Sequence, residues 1–441
     1  MISAGVDGAA RQAAFAPSVV TPCDVPPITP NPPCETCSPP RTASLRTNAG
    51  WIALAALLLF VRKTDSFLNP QFWAEDAWPF FVEANTVGPA AFLREYNGYH
   101  HFLPRLIAWA AAHFDPALQP AIYVFSALVV TLIVVAQALS SRLDLPGKPL
   151  LALAVVLVPH TGEVLLTPTN LQWITALGLL LTVCTRDPAT PAAWCSDLTV
   201  IFAFGFTGPF SLLLAPVFLL RACQRRTAAS WILLAAVTVP ALVQGWSLWH
   251  SPALTDPGVW HFRAMWGVIS VRSFTSLLVG GPAAVSIGYA AAVALAVLIF
   301  AGSISLAAQP DGFRRARFIL LAAFTIFLVA AVKRARPDTW ASWDLVNGDR
   351  YWYAPKVILL WLIVLSSVNA PERWRRWTGG AFLLVGLLAN APQFRIPPAP
   401  DLHWAGYCPD IRAGRRVAEI PINPGWKITY PGGLPVSCRG R

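Results

Sequence analysis

Charge is what this chain has least of. Only 12% of its 441 residues are Asp, Glu, Lys or Arg, about half the share of a soluble globular protein. So little polar surface cannot cover a water-soluble body, and 55% of the residues are hydrophobic, with a mean hydropathy of +0.53. Other absences narrow the function. There is no G-x-G-x-x-G or Walker-type glycine loop to cradle nucleotide phosphates, and no G-x-S-x-G elbow to expose a nucleophilic serine. No nucleic-acid motif accompanies the net charge of +11. The apolar blocks hold few charges and show no clear internal repeat, which counts against a carrier built from inverted halves.

What is present is a series of long apolar runs, such as Ala117–Leu139, Trp231–Trp249 and Ala283–Ala308. Each can cross a hydrocarbon core of ~30 Å at a rise of ~1.5 Å per residue. The first run starts near residue 49, too late for a cleaved signal peptide. The expectation is an all-α polytopic membrane protein with about 11 transmembrane helices, near 49–62, 117–140, 149–160, 171–185, 194–206, 209–222, 230–249, 283–308, 317–333, 354–369 and 378–392. Several of these fall short of the ~20 residues that a straight span needs. The run 194–222 is divided at Thr207-Gly208-Pro209, a turn signal inside an apolar stretch. That division keeps Arg221, Arg225 and Arg226 on the same side as the other short basic loops, which by the positive-inside rule is the cytoplasm.

This topology puts the N-terminus in the cytoplasm and the C-terminus outside, which in a bacterial inner membrane would be the periplasm. Fourteen of the 22 acidic residues then fall in the outer segments 63–116, 161–170, 250–282, 334–353 and 393–441. The chain divides into three regions: a Pro-rich disordered tail over 1–47, a membrane domain over 48–392, and an outer cap over 393–441. In the tail, Cys34-x-x-Cys37 lacks the second pair that a zinc site needs. In the cap, Cys408 and Cys438 sit in an oxidising compartment and are candidates for a disulfide. The turn-rich stretch 420–433 suits a small cap with a strand or two.

The first outer loop carries the densest chemistry. It opens Asn69-Pro70-Gln71-Phe72-Trp73-Ala74-Glu75-Asp76. Two adjacent carboxylates beside lipid repel each other unless a proton, a cation or a metal offsets them. The pair Glu75 and Asp76 suits a general base or an oxygen site for a divalent metal ion, with Asp76 as ligand. It equally suits the first turn of a helix over about 77–93, where acids complement the dipole. The loop continues Asn97-Gly98-Tyr99-His100-His101-Phe102-Leu103-Pro104-Arg105 at the head of an amphipathic segment, 102–114. Arg105 offers a planar fork for phosphate, and His100 and His101 can move protons or bind metal. All three also suit interfacial anchoring.

An acidic pair in the first outer loop, aromatic residues around it, an interfacial helix and about eleven spans together resemble the GT-C superfamily of polytopic glycosyltransferases, in particular a bacterial subgroup with the stretch 75–105. The resemblance covers most of the chain as architecture and residues 69–105 as motif. It implies transfer of a sugar from a polyprenyl-phosphate-type lipid-linked donor to a glycan or lipid acceptor of the cell envelope. Glu75 or Asp76 would be catalytic base or metal ligand.

Further polar groups fall in other outer segments. Asn170 and Gln172 stand at the outer end of an apolar run, and Asp349 and Arg350 sit among Trp and Tyr residues. Aromatic faces with carboxylates suit a sugar, and Arg350 suits a donor phosphate; an aromatic belt with snorkelling cations fits the same residues. Arg263 and Arg272, near His261, are further cations of that face. The alternative to an enzyme is a transporter or flippase of a lipid-linked or small polar substrate. In either case the partners are membrane lipids and small polar ligands rather than nucleic acid.

Overall fold

The computed structural model describes residues 41–251, 261–335, 348–368 and 370–433. Contacts divide the chain into Met1–Ser44 and Leu45–Arg441. Of the first unit only residues 41–44 are described, and they are helical; the rest of the Pro-rich tail lies outside the described residues. Every other described residue belongs to the second unit.

The protein is helical, and each apolar run contains a helix: Arg41–Arg62, Gln119–Ala138, Lys148–Leu157, Leu171–Cys184, Pro191–Gly205, Phe210–Arg225, Ala228–Trp249, Tyr289–Ala307, Arg314–Ala335, Arg350–Ser367 and Arg373–Asn390. By length and composition four of these can cross a membrane: Gln119–Ala138, Ala228–Trp249, Tyr289–Ala307 and Arg314–Arg334. Others are shorter and serve as core. Every residue of Leu171–Cys184 is buried, as are nearly all of Arg350–Ser367, and the two helices pack together. A helix that is apolar all round needs neighbours on every side, and these two have them.

The break at 206–209 is real and has a cause. Gly208 has φ +87° and Pro209 follows it, so neither the dihedral nor the missing N–H suits a continuing helix. The freed backbone is satisfied by the segment 100–103. Phe102 N–H donates to the Phe206 carbonyl (3.0 Å), Gly208 N–H to the His100 carbonyl (3.0 Å), and Leu103 N–H to the Thr207 hydroxyl (3.1 Å). The single helix expected over about 77–93 is instead three short turns, Ala77–Phe81, Val82–Thr86 and Gly88–Leu93. Pro79 lacks a donor, and Gly88-Pro89 breaks the run again. The amphipathic segment after it is a helix, Phe102–Ala111.

The basic residues between helices make specific contacts. Asp187 accepts from Arg221 (2.7 Å), Arg225 (3.1 Å) and Thr227 (2.6 Å), and Arg142 grips Asp197 at 2.6 Å. These arginines tie helix ends together.

The C-terminal segment forms a two-stranded antiparallel hairpin, Val417–Ile422 with Trp426–Tyr430. The C-terminal segment packs on residues 63–116: Ala74 N–H donates to the Asn423 carbonyl (2.6 Å), Trp404 Nε1 to the Pro116 carbonyl (2.9 Å), and Arg412 pairs with Asp115 (2.6 Å). Cys408 is buried, its thiol 3.4 Å from the Trp404 carbonyl. Cys438, its expected partner, lies outside the described residues.

Helix Arg373–Asn390 meets the segment 276–279 at close range. Asn390 Nδ2 donates to the Ser276 carbonyl (3.0 Å), and a Cβ on Gly386 would strike the Leu277 carbonyl oxygen. Backbone cannot yield as a side chain can. Gly386→Ala should therefore lower stability by about 1–3 kcal/mol. Gly380→Ala, with nothing within 4 Å, should be neutral or gain up to about 1 kcal/mol from helix propensity. Thermal unfolding of the two variants in detergent checks the contrast.

Candidate functional site

The adjacent acids do not share a site. Trp73 bridges Asn423, and Ala74 is held at φ +45° by its bond to the Asn423 carbonyl. A non-glycine residue in that region costs about 1–3 kcal/mol and persists only where neighbours enforce it. The turn Ala74–Asp76 sends the two carboxylates in different directions. Glu75 lines a cavity of about 430 Å³. Asp76 is 2% exposed, does not line that cavity, and accepts the Thr169 N–H at 2.8 Å. Burial raises the Asp76 carboxyl well above the usual carboxylate range; the Thr169 N–H opposes this, Glu75 adds to it, and Lys63 opposes it.

Glu75 is half-buried, and its carboxylate makes no hydrogen bond or ion pair among the described residues. Around it the cavity is lined by Tyr96, Tyr99, His101, Asn170 and Gln172. Burial, then the Glu75 charge, pushes the Tyr96 phenol up to about 12. His101 packs against the Tyr99 ring (4.5 Å between centroids), and neither ring nitrogen has a hydrogen-bond partner among the described residues. Burial and the nearby Arg105 charge push its pKa down to about 3, so the imidazole is neutral at physiological pH. A neutral ring can polarise or position a ligand, but it does not store a proton there. Gln172 Nε2 reaches the Tyr99 hydroxyl at 3.4 Å, and Asn170 Nδ2 donates to the Glu163 carbonyl at 2.7 Å.

Cations line the same cavity from two other elements: Arg350 at the start of its helix, and Lys333 and Arg334 at the end of theirs. Arg350 pairs with Glu163, a residue that is 4% exposed, and lies 5.0 Å over the Tyr351 ring. The remaining wall is apolar, with Leu212, Leu248 and Trp249 at helix ends. The chamber thus holds one unpaired carboxylate, aromatic rings with hydroxyls, and clustered cations. Such a set can take a hydroxyl-bearing ligand with an anionic group and draw a proton from it.

The other candidate residues stand elsewhere. Arg105 is buried and does not line the cavity; its Nη1 pairs with Glu83 at 2.6 Å, while its Nε and Nη2 have no hydrogen-bond partner among the described residues. His100 does not line the cavity, and its backbone is clamped by Gln244 through bonds of 2.8 and 3.0 Å. Asp349 faces a second cavity, paired with Lys356 at 3.0 Å. Burial works against its ionisation, yet Lys356, His160, Arg272 and the Thr161 N–H together hold it below the usual carboxylate range. Arg263 lies 5.0 Å over the Tyr289 ring. The part of the segment 334–353 that precedes Asp349 and Arg350, residues 336–347, lies outside the described residues. A metal at Asp76 finds no support in the donor set: one of its oxygens is taken by Thr169, and no three His, Cys, Asp or Glu side chains converge among the described residues.

Glu163 gives no sign of itself in the sequence. It stands alone in Thr161-Gly162-Glu163-Val164, without a motif, yet it positions Arg350. Lys333 and Arg334 are visible there as charges, but only as the end of a span. No family profile, curated protein or solved structure matches this chain.

The two acids should respond differently to substitution. Asp76 is favoured in its protonated form when folded, so its contribution to stability is complete below the unfolded-chain value of about 3.9. That contribution is lost as pH rises through the higher folded value. Asp76→Asn, an isostere of the protonated acid that keeps an acceptor for Thr169, should match the parent near pH ~4 and exceed it at neutral pH. Asp76→Ala should lose about 1–3 kcal/mol by orphaning the Thr169 N–H. Thermal midpoints across that range decide it, and an Asn variant as weak as the Ala variant at every pH would show that the ionised form is what the fold requires.

Proposed function

We propose that this chain is a membrane glycosyltransferase of the GT-C kind, moving a sugar from a polyprenyl-phosphate-type donor to a cell-envelope acceptor on the outer face of the bacterial inner membrane. The observation that carries the reading is the single cavity that unites Glu75 with Arg350, Lys333 and Arg334. In this reading all eleven helices belong to the membrane body, with the C-terminal hairpin outside.

The chemistry is an inverting displacement. Glu75 takes the proton of an acceptor hydroxyl as its oxygen attacks the anomeric carbon. The bond from that carbon to the donor phosphate oxygen breaks, and its electron pair leaves with the lipid phosphate. Arg350, Lys333 and Arg334 stabilise the charge that develops there. Tyr96, Tyr99, Trp173 and Tyr351 offer ring faces to the sugar, while Asn170 and Gln172 offer amides to its hydroxyls. The apolar wall at Leu212, Leu248 and Trp249 suits the start of an isoprenoid chain. Asp76 and Glu163 act as positioning residues, one holding the loop 163–170 and the other Arg350.

Transfer of a labelled sugar from a polyprenyl-phosphate donor to envelope acceptors, in proteoliposomes, tests this. Glu75→Gln should lower the rate by about 10²–10⁴-fold, the usual worth of a general base, without releasing bound donor. Arg350→Lys keeps charge but loses the fork, so donor KM should rise with a smaller change in rate. Full transfer by the Gln variant, or substrate uptake with no glycosylated product, would sink the proposal.

A further inference from the structure

A second cavity, of about 400 Å³, lies on the other side of the Asp349–Arg350 step. Three cations line it, Arg62, Lys356 and Arg395, with the polar groups of His160, Asn390 and Gln393; Asp349 is the one carboxylate of its wall. That carboxylate is already occupied by Lys356 and the Thr161 N–H, both at 3.0 Å. His160 is buried, and its Nε2 has no hydrogen-bond partner, 3.7 Å from Asp349. The Arg395 guanidinium is exposed and in no ion pair among the described residues. Its segment is fixed in place by the Ile396 N–H, which donates to the Arg62 carbonyl at 2.8 Å, and by Arg62 lying 5.4 Å from the Phe394 ring centroid. Donors and positive charge are in surplus here, and an anion would balance them.

The surroundings say what kind of anion. Leu157, Pro159, Asn390 and Phe394 line this cavity and also an apolar groove of about 400 Å³. The groove runs away from the cations along four helices. Leu58 lies one turn before Arg62, and Leu153 and Leu150 lie one and two turns before Leu157. Leu360 and Val364 lie one and two turns beyond Lys356, and Leu387 and Leu383 lie one and two turns before Asn390. At ~1.5 Å per residue, the eight residues from Lys356 to Val364 give a trough ~12 Å long. Its polar content is slight, and Leu387 and Leu150 leave it open at the protein surface, half and 44% exposed.

We propose that this cavity and groove form a site for a membrane phospholipid, distinct from the Glu75 chamber. Its phosphate headgroup is held by Arg395, Lys356 and the His160 edge, and one acyl chain lies along Leu153, Leu360 and Leu387. The charge surplus selects a phosphate that is not offset by a cationic headgroup, and the trough selects a chain rather than a free ion. The site does not depend on what the Glu75 chamber does.

The test is binding to the full-length protein, delipidated in detergent and followed by native mass spectrometry. The probes are dioleoyl phosphatidic acid, dioleoyl phosphatidylcholine and inorganic phosphate. Phosphatidic acid should bind at least tenfold more tightly than either of the others. Arg395→Glu, an exposed position that leaves the buried pairs intact, should weaken it about tenfold. Leu387→Trp, which fills the trough, should weaken it several-fold. Equal binding of phosphatidylcholine, or no response to Arg395→Glu, overturns the headgroup assignment. Inorganic phosphate matching the lipid, with Leu387→Trp silent, overturns the chain assignment. The same titration on Glu75→Gln protein should be unchanged, so a failed transfer assay and a failed lipid site are told apart.

Discussion

Backbone polar groups that lack a helix or strand partner must be satisfied by something else, above all inside an apolar body, and the segment from Val156 to Asn170 is where this protein meets that constraint. Its carbonyls are bound by side chains from elsewhere. Arg62 donates to Val158 and His160 at 2.8 and 3.0 Å, Lys63 to Leu165 at 3.0 Å, and Lys356 to Pro159 at 3.0 Å. Its amides go to acids: Thr161 N–H to Asp349 at 3.0 Å and Thr169 N–H to Asp76 at 2.8 Å. Buried charges would be costly as isolated groups. Here Arg62, Lys63, Lys356 and the Asp349 carboxylate are each matched to a peptide group that would otherwise be orphaned, so charge and irregular backbone resolve each other's penalty, and Asp76, favoured in its protonated form, accepts one more amide.

Once those pairs are made, few charges remain uncommitted, and that is what defines the chamber. Arg105 pairs with Glu83 away from the chamber, Asp349 pairs with Lys356, and Asp76 accepts from Thr169. Arg350 is anchored by Glu163 yet still lines the cavity, since a guanidinium has donors to spare. Glu75 alone among these acids faces the chamber without a partner among the described residues. The left-handed turn at Ala74, enforced by the C-terminal hairpin through Asn423, is what separates it from Asp76. Strain in the loop is thereby sustained by a segment more than 300 residues away in the chain.

Much of the helical layout is legible in the sequence, because blocks of apolar residues bounded by Gly, Pro and basic clusters leave little choice of where helices lie. The break at Gly208-Pro209 can be read for the same reason. Burial depth is not legible. Leu171–Cys184 and Gln119–Ala138 look alike as apolar runs, yet the first is wholly enclosed and the second is not. Partnership is less legible still. Arg105 and Arg350 both appear as arginines beside aromatic residues, and only the fold decides that Glu83 absorbs one while Glu163 steers the other into the cavity. Glu163 carries no local signal, since its importance comes from Arg350, 187 residues on. Glu75 and Asp76 read as one pair only while adjacency in sequence is taken for adjacency in space, and a single turn with positive φ undoes that.

The same helix start serves two chambers. Asp349 belongs to the cationic cavity and Arg350 to the one that holds Glu75, and consecutive residues at a helix N-terminus cannot move independently. Both are tied to one stretch of the Val156–Asn170 segment, Asp349 through Thr161 and Arg350 through Glu163, two residues apart. The shared element here is an irregular segment held by side chains from helices on several sides. A helix in its place would have bound its own amides and carbonyls and left Asp349 and Arg350 without this common anchor.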